Sequence, residues 1–381
     1  MKNLIFLFAI PLLFFSCGER TDSVNGENFE FSYTTDTVMV DAGQHFFFLN
    51  WDLQLADISQ ERKYLYNLNP QTYLIEIVDL DNLKLKKTIQ LEKEGPDGVG
   101  ANHYGKIQVL ENGNICLFGQ FKINIVSEEG KLVNSIEFDQ IQLKDYGLQE
   151  DEKIGWSGVI SDDGKLFAST LSNVDYKKPA RGIVLIDLET DSIKYIPMNL
   201  FQELKPFEIL MQSGDSPGMM FSEGIFLSFM DEDLIISSTA FNESFRYSWR
   251  MDSLIHKTYT TDLTENKKTG DFPTVVDNGK DLDEAQEKKK MQVDFGEFYE
   301  IQKHKLIWRV SREKDRMIGD STVFKHVATF FDPELNMLKE QKLEDFTPSN
   351  RSFFKDGMLY SFLNIHDELA FVRLKPNFKG L

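Results

Sequence analysis

Cysteine is nearly missing from this chain of 381 residues, which has two, Cys17 and Cys116. A disulfide framework is thereby excluded, and a chain of this length builds its core without covalent staples. Histidine is sparse as well. Six residues stand singly at 45, 103, 256, 304, 326 and 366, with no His-x-His, His-Glu-x-x-His or Cys–His spacing that would fix a transition metal. No Gly-x-Ser-x-Gly elbow occurs, so a serine hydrolase of the usual α/β type is excluded. Basic residues are too few to balance the acids: 42 Lys and Arg stand against 61 Asp and Glu, a formal charge of −19. Such a field repels anionic polymers and anionic lipid surfaces, so nucleic acid is not an expected partner. Long apolar runs are absent beyond Leu4–Phe15, which falls short of the roughly twenty residues a spanning helix needs.

What the N-terminus does have is a secretory signal: Lys2, then the apolar stretch Leu4–Phe15, then the small Ser16. The residue after the cut would be Cys17, whose thiol can take a diacylglycerol thioether. The segment resembles the bacterial lipobox, with Phe14 where an aliphatic residue is preferred and Leu13 one place earlier. Residues 1–16 are expected to be removed, with Lys2 lost and the charge moving from −19 to −20. Residues 17–28 then form a lipidated N-terminus and polar linker, a membrane anchor with no spanning segment. Cell-envelope localisation follows, with the outer membrane as the expected site.

Phenylalanine is abundant, with 32 copies, mostly in short alternating stretches with β-branched neighbours, as strands require. A hairpin unit recurs as Tyr73–Leu91, Lys122–Phe138, Gly182–Met198, Phe245–Tyr259 and Val327–Leu343, with a shorter member at Ala370–Phe378. Most copies follow a tight turn feeding another strand: Glu111–Ile115, Asp162–Leu166, Asp231–Ile235, Lys303–Ile307 and Met358–Leu359 after Lys355-Asp356-Gly357. Asn-Gly and Asp-Gly supply the positive φ that two-residue hairpins need. The two units together make a four-stranded sheet, and their number predicts an all-β, about six-bladed β-propeller of four-stranded antiparallel blades over residues 29–381. Ring closure is assigned to N-terminal strands Phe29–Tyr33, Val38–Val40 and Phe46–Leu49, placed beside Leu359–Phe362 and Leu369–Leu374. Residues near 262–294 break the rhythm as a polar insertion. Its run Asp281–Lys290 carries acids first and lysines last, which suits a short helix and its dipole.

Four features recur together: the signal ending at Cys17, the segment Lys93-Glu94-Gly95-Pro96-Asp97-Gly98-Val99-Gly100, the Asn112-Gly113-Asn114 strand turn, and Gly296–Val310. On these the chain resembles a Bacteroidota lipoprotein family with a domain of unknown function, grouped with six-bladed TolB-like and NHL-like propellers. The resemblance spans the whole mature domain and implies a fold and an envelope location, without an activity.

Site chemistry is thin in the sequence. The Gly-rich segment 94–100 reads as a blade crossover, its alternative being a nest of backbone N–H groups for an anion. Ser161-Asp162-Asp163-Gly164 approaches the sialidase box but places its glycine one residue early, so it reads as a hairpin turn. A ligand is expected where inter-blade loops converge, and the polar and aromatic candidates there are Asn102, His103, Tyr104, Trp156 and Arg181, with Lys177 and Lys178 nearby. No catalytic set and no metal set stand out. The leading expectation is a non-enzymatic binding or scaffold propeller facing an envelope protein or extracellular ligand, without a cofactor. The alternative is a carbohydrate or ester hydrolase whose acidic channel holds Ca²⁺.

Overall fold

The computed structural model describes residues 29–380 except 101–103, 139–140, 142–148, 150, 156, 174–177, 214–215 and 350. Successive side chains of a strand point to opposite faces, and here each face meets a different neighbouring sheet. Ile115–Gly119 illustrates the rule, being buried at all five positions. Ile115 and Leu117 join Leu68, Ile75 and Val109 on one side, while Cys116 and Phe118 join Ile160, Phe167 and Val184 on the other. Six such apolar clusters fill the six interfaces between neighbouring sheets of a closed ring. Cys116 is one of these core residues, and burial pushes its thiol up to about 12.

The ring is a six-bladed propeller. Blade 1 comprises Ala56–Ile58, Tyr64–Asn69, Leu74–Asp79 and Lys84–Gln90, and blade 2 Tyr104–Val109, Ile115–Gly119, Lys122–Val126 and Leu132–Glu137. In blade 3, Glu152–Ile154 and Val159–Ile160 share the inner place before Leu166–Asn173, Gly182–Asp187 and Ile193–Pro197. Blade 4 runs Ile225–Met230, Asp233–Ser238, Glu243–Ser248 and Ser253–Thr258, and blade 5 Asp294–Ile301, Leu306–Ile318, Ser321–Phe331 and Met337–Leu343. Each blade's first strand is innermost and begins at the crossover from the previous blade. It ends at a tight turn, so the channel has a crossover mouth and a turn mouth.

Those tight turns need left-handed backbone. Gly113 and Gly164 supply it in blades 2 and 3, at φ of 83° and 78°, and Asp356 and Gly357 together in blade 6, at 52° and 75°. Arg62, Asp231 and Lys305 supply it in blades 1, 4 and 5, where an L residue adopts the same backbone at some cost.

Blade 6 is closed by the N-terminus. Ser352–Lys355, Met358–Ile365 and Glu368–Lys379 are completed by Glu30–Met39, which pairs antiparallel with the last strand from Glu30↔Lys379 to Met39↔Ala370. One continuous strand therefore does what the sequence divides among several. Phe46–Leu49 is not a strand but part of the crossover into blade 1, with Phe46 86% exposed. Its apolar run Phe47-Phe48-Leu49 is buried without pairing, Phe47 and Leu49 packing in the cluster between blades 6 and 1. The closing strand is held by Phe31, whose ring lies 4.7 Å from Phe330 and 6.0 Å from Trp308 of blade 5.

Between blades 3 and 5 the crossovers grow. Ile209–Ser213 pairs antiparallel with Ser216–Phe221 and parallel with Val275–Val276 in a small extra sheet. Asn278 caps a helix over Gly279–Lys290 by accepting from the Asp281 N–H, with lysines in its last turn. Leu282 and Ala285 are its buried side, against the cluster that holds Phe207 and Phe272.

Candidate functional site in the central channel

Alternation on the inner strands carries polar side chains inward. In blade 2, Ile107 and Val109 face the core with blade 1, which turns Lys106 and Gln108 the other way. Gln108 grips the inner strand of blade 3 through its side chain, accepting from the Ile160 N–H at 2.9 Å and donating to the Ile160 carbonyl. Lys106 donates to the Gly158 carbonyl at 2.8 Å. Asp57 of blade 1 accepts from the Val109 N–H at 2.7 Å, and Arg351, entering blade 6, donates to the Gln54 carbonyl of blade 1. Neighbouring inner strands are thus tied by side chains rather than by a shared sheet.

The same side chains form a mixed-charge set. Glu297 of blade 5 lies in the field of Lys106, Arg351 and Asp57, with Tyr299 close enough to influence it as well. All five groups are half-buried, yet burial dominates their titration where a shift appears, as expected for groups open only to a narrow channel. Burial pushes the Asp57 and Glu297 carboxyls up, the Lys106 ammonium down and the Tyr299 hydroxyl up. Opposite charges offset part of each push on Asp57, Lys106 and Glu297. At the turn mouth Gln60 donates to Asp162 at 2.8 Å, while Arg62 lies near Asp162 and Glu300. Burial raises both carboxyls there, and Asp231 raises Glu300 further. Among the described residues no group of three or more His, Cys, Asp or Glu is placed to hold a metal ion.

A cleft of about 520 Å³ opens beside the channel between blades 5 and 6, with Glu297 and Tyr299 on its channel side. Asp294, Arg312 and His326 are register partners across three strands of blade 5, and all line it. Behind them runs a chain of alternating charges. Lys289 meets Glu223 at 2.7 Å, Glu223 is 3.7 Å from Lys268, Lys268 meets Asp294, and Asp294 meets Arg312 at 3.0 Å. Glu223 and Lys268 side chains are each 2% exposed, so this network fastens the insertion to blades 4 and 5.

The residues singled out from sequence fare unevenly. Cys17, Asn102, His103, Trp156 and Lys177 lie outside the described residues. Tyr104 is buried at the start of the blade 2 inner strand, where its hydroxyl donates to the Val99 carbonyl at 3.0 Å and accepts from Asn124 at 2.9 Å. It is a strut under the Gly-rich crossover. Within that crossover the Val99 and Gly100 N–H groups bond the carbonyls of Glu92 and Lys93, so they close the loop on itself. Arg181 pairs with Glu152 and lies over the Tyr195 ring at 5.3 Å, on blade 3. Glu152 holds its guanidinium above the ordinary range. Lys178 meets Asp151 at 2.8 Å nearby. Asp57, Lys106, Glu297 and Arg351 were not singled out. Their signal was a charge within or beside a short, otherwise apolar first strand, such as Lys106 and Gln108 in Tyr-Gly-Lys-Ile-Gln-Val.

The family model described as Domain of unknown function (DUF4221) matches residues 28–342. The chain belongs to the DUF4221 family. A member of that family from Bacteroides vulgatus has a crystal structure similar to this chain, with a TM-score of 0.64 and 14% identity over 93% of this chain and 99% of that one. A Bacteroides fragilis protein named as exported is similar at a TM-score of 0.50 and 9% identity, covering 94% and 98% of the two chains. At such identities the likeness shows the fold. No curated protein matches the chain. Among the described residues of this DUF4221 propeller, no helix is long and apolar enough to cross a membrane.

Proposed function

We propose that this DUF4221 protein is a non-enzymatic binding propeller of the bacterial cell envelope, anchored through a lipid on Cys17, and that its channel receives the ligand. The observation carrying this reading is the balance of the channel: Asp57 and Glu297 face Lys106 and Arg351. A hydrolase needs a nucleophile beside a base, or carboxylates converging on a metal. Opposite charges set on neighbouring inner strands instead suit recognition of a polar ligand by complementary groups. Envelope placement is supported by the signal-like residues 1–16 and by the similar Bacteroides fragilis protein named as exported.

The experiment purifies the protein natively from its own envelope, denatures it and identifies released small molecules by mass spectrometry. Wild type is compared with a Lys106→Ala/Arg351→Ala variant. A compound released by wild type and lost from the variant is expected. Equal release from both, with Ca²⁺-dependent cleavage of p-nitrophenyl esters or glycosides by wild type, would establish the hydrolase instead.

A further inference from the structure

We propose that the cleft between blades 5 and 6 binds an organic carboxylate with an apolar body, its carboxylate held by Arg312 and His326. The inference rests on the binding reading above and names its ligand class. Three observations carry it. The first is charge: the chain Lys289–Glu223–Lys268–Asp294–Arg312 holds three cations and two anions and ends at the cleft wall on Arg312. Asp294 takes one of the five guanidinium N–H groups, and Arg312 presents a planar fork suited to a carboxylate.

The second is His326. It is 8% exposed and lines the cleft beside Arg312, and no described residue hydrogen-bonds its ring. Its ring nitrogens are not among the fully buried polar atoms left without a partner, so the ring is open to the cleft it lines, and a ligand oxygen reaching the Arg312 fork would lie at the ring as well. Burial, and then Arg312, pushes the imidazole down, so near neutral pH it is a neutral ring with one N–H to donate.

The third is the rest of the wall. Phe226 and Val310 are half-buried and line the same cleft, offering apolar surface in the cleft that holds the Arg312 fork. Glu297 on the channel side does not oppose an anion strongly, because Lys106 and Arg351 face it. A cleft of about 520 Å³ lies within the usual range for small-molecule sites.

Three probes of similar shape separate the possibilities in calorimetric titrations: N-acetylphenylalanine as the anion, its neutral amide, and phenethylamine as the cation. The anion is expected to bind at least about tenfold tighter than the amide, as a charge-assisted fork implies. Arg312→Gln should reduce that preference to within about twofold, Arg312→Lys should keep part of it, and His326→Ala should weaken the anion selectively. Lys165→Ala, at an exposed lysine of blade 3 that does not line the cleft, should leave the preference intact, and circular dichroism of each variant controls for folding. Equal binding of anion and amide, tighter binding of the amine, or an anion preference indifferent to Arg312 overturns the proposal. If no probe binds while wild type still releases a compound from its envelope, this proposal fails and the binding reading stands.

Discussion

Replacing Phe31 by alanine should destabilise the whole ring, although the residue belongs to a single N-terminal strand. Phe31 is 5% exposed and sits among four aromatic rings, with centroids 4.7 Å from Phe330, 5.4 Å from Phe378, 5.7 Å from Tyr33 and 6.0 Å from Trp308. Truncating such a side chain removes its transfer free energy and leaves a cavity, a loss of about 3–5 kcal/mol. At roughly 2 °C per kcal/mol, the lower end for large domains, the melting temperature should fall by about 6–10 °C. Phe46→Ala is the internal control, because Phe46 is 86% exposed and its loss should cost no more than about 0.5 kcal/mol. Differential scanning calorimetry reads both. Hydrogen exchange should further show Glu368–Lys379 losing protection first in Phe31→Ala, since that strand pairs with the closing one. Equal shifts for the two variants, or a Phe31→Ala shift below about 2 °C, would refute closure of the ring by Glu30–Met39.

Three further outcomes are expected. Lys268→Met leaves Glu223 with Lys289 and Asp294 with Arg312, so the loss should be about 3 kcal/mol, at the low end for breaking a buried pair, and hydrogen exchange should report early release of Gly279–Lys290. Asp57 and Glu297 have carboxyls raised by burial, so the stability they contribute is complete below the ordinary carboxylate pKa and is lost as pH rises through their folded values. Asp57→Asn/Glu297→Gln should therefore flatten the stability–pH curve on the alkaline side of the carboxylate range, measured by denaturant titration. Cys116 is fully buried and its thiol is pushed up to about 12, so in a Cys17→Ser background Ellman's reagent at pH 8 should react only after denaturation.

The blades were legible because each repeats a local pattern. The hairpin from Lys122 to Phe138 and the turn Glu111–Ile115 are alternation plus a Gly at positive φ, and both signals lie within a few residues. The blade 1 turn was hidden because Arg62 rather than glycine takes the left-handed position. Closure was legible in kind, yet Phe46–Leu49 reads as a strand when it is a buried loop segment, because an apolar run records burial and not pairing. The channel was the hard part. Glu297 and Lys106 lie 191 positions apart in sequence, and their meeting is a product of the ring, which no local motif encodes. Tyr104 was conspicuous for the opposite reason: an aromatic beside a Gly-rich loop, whose hydroxyl turned out to brace that loop.

We propose that the mixed-charge channel and its side cleft are where this propeller binds its ligand. A crystal structure of the protein purified natively from its own envelope tests it most directly. Density for an organic molecule touching Lys106, Arg351 or Arg312 is the result expected. Density for a ligand seated only on the outer rim of the blades, or a cation held by carboxylates in the channel beside a cleaved substrate, would contradict it.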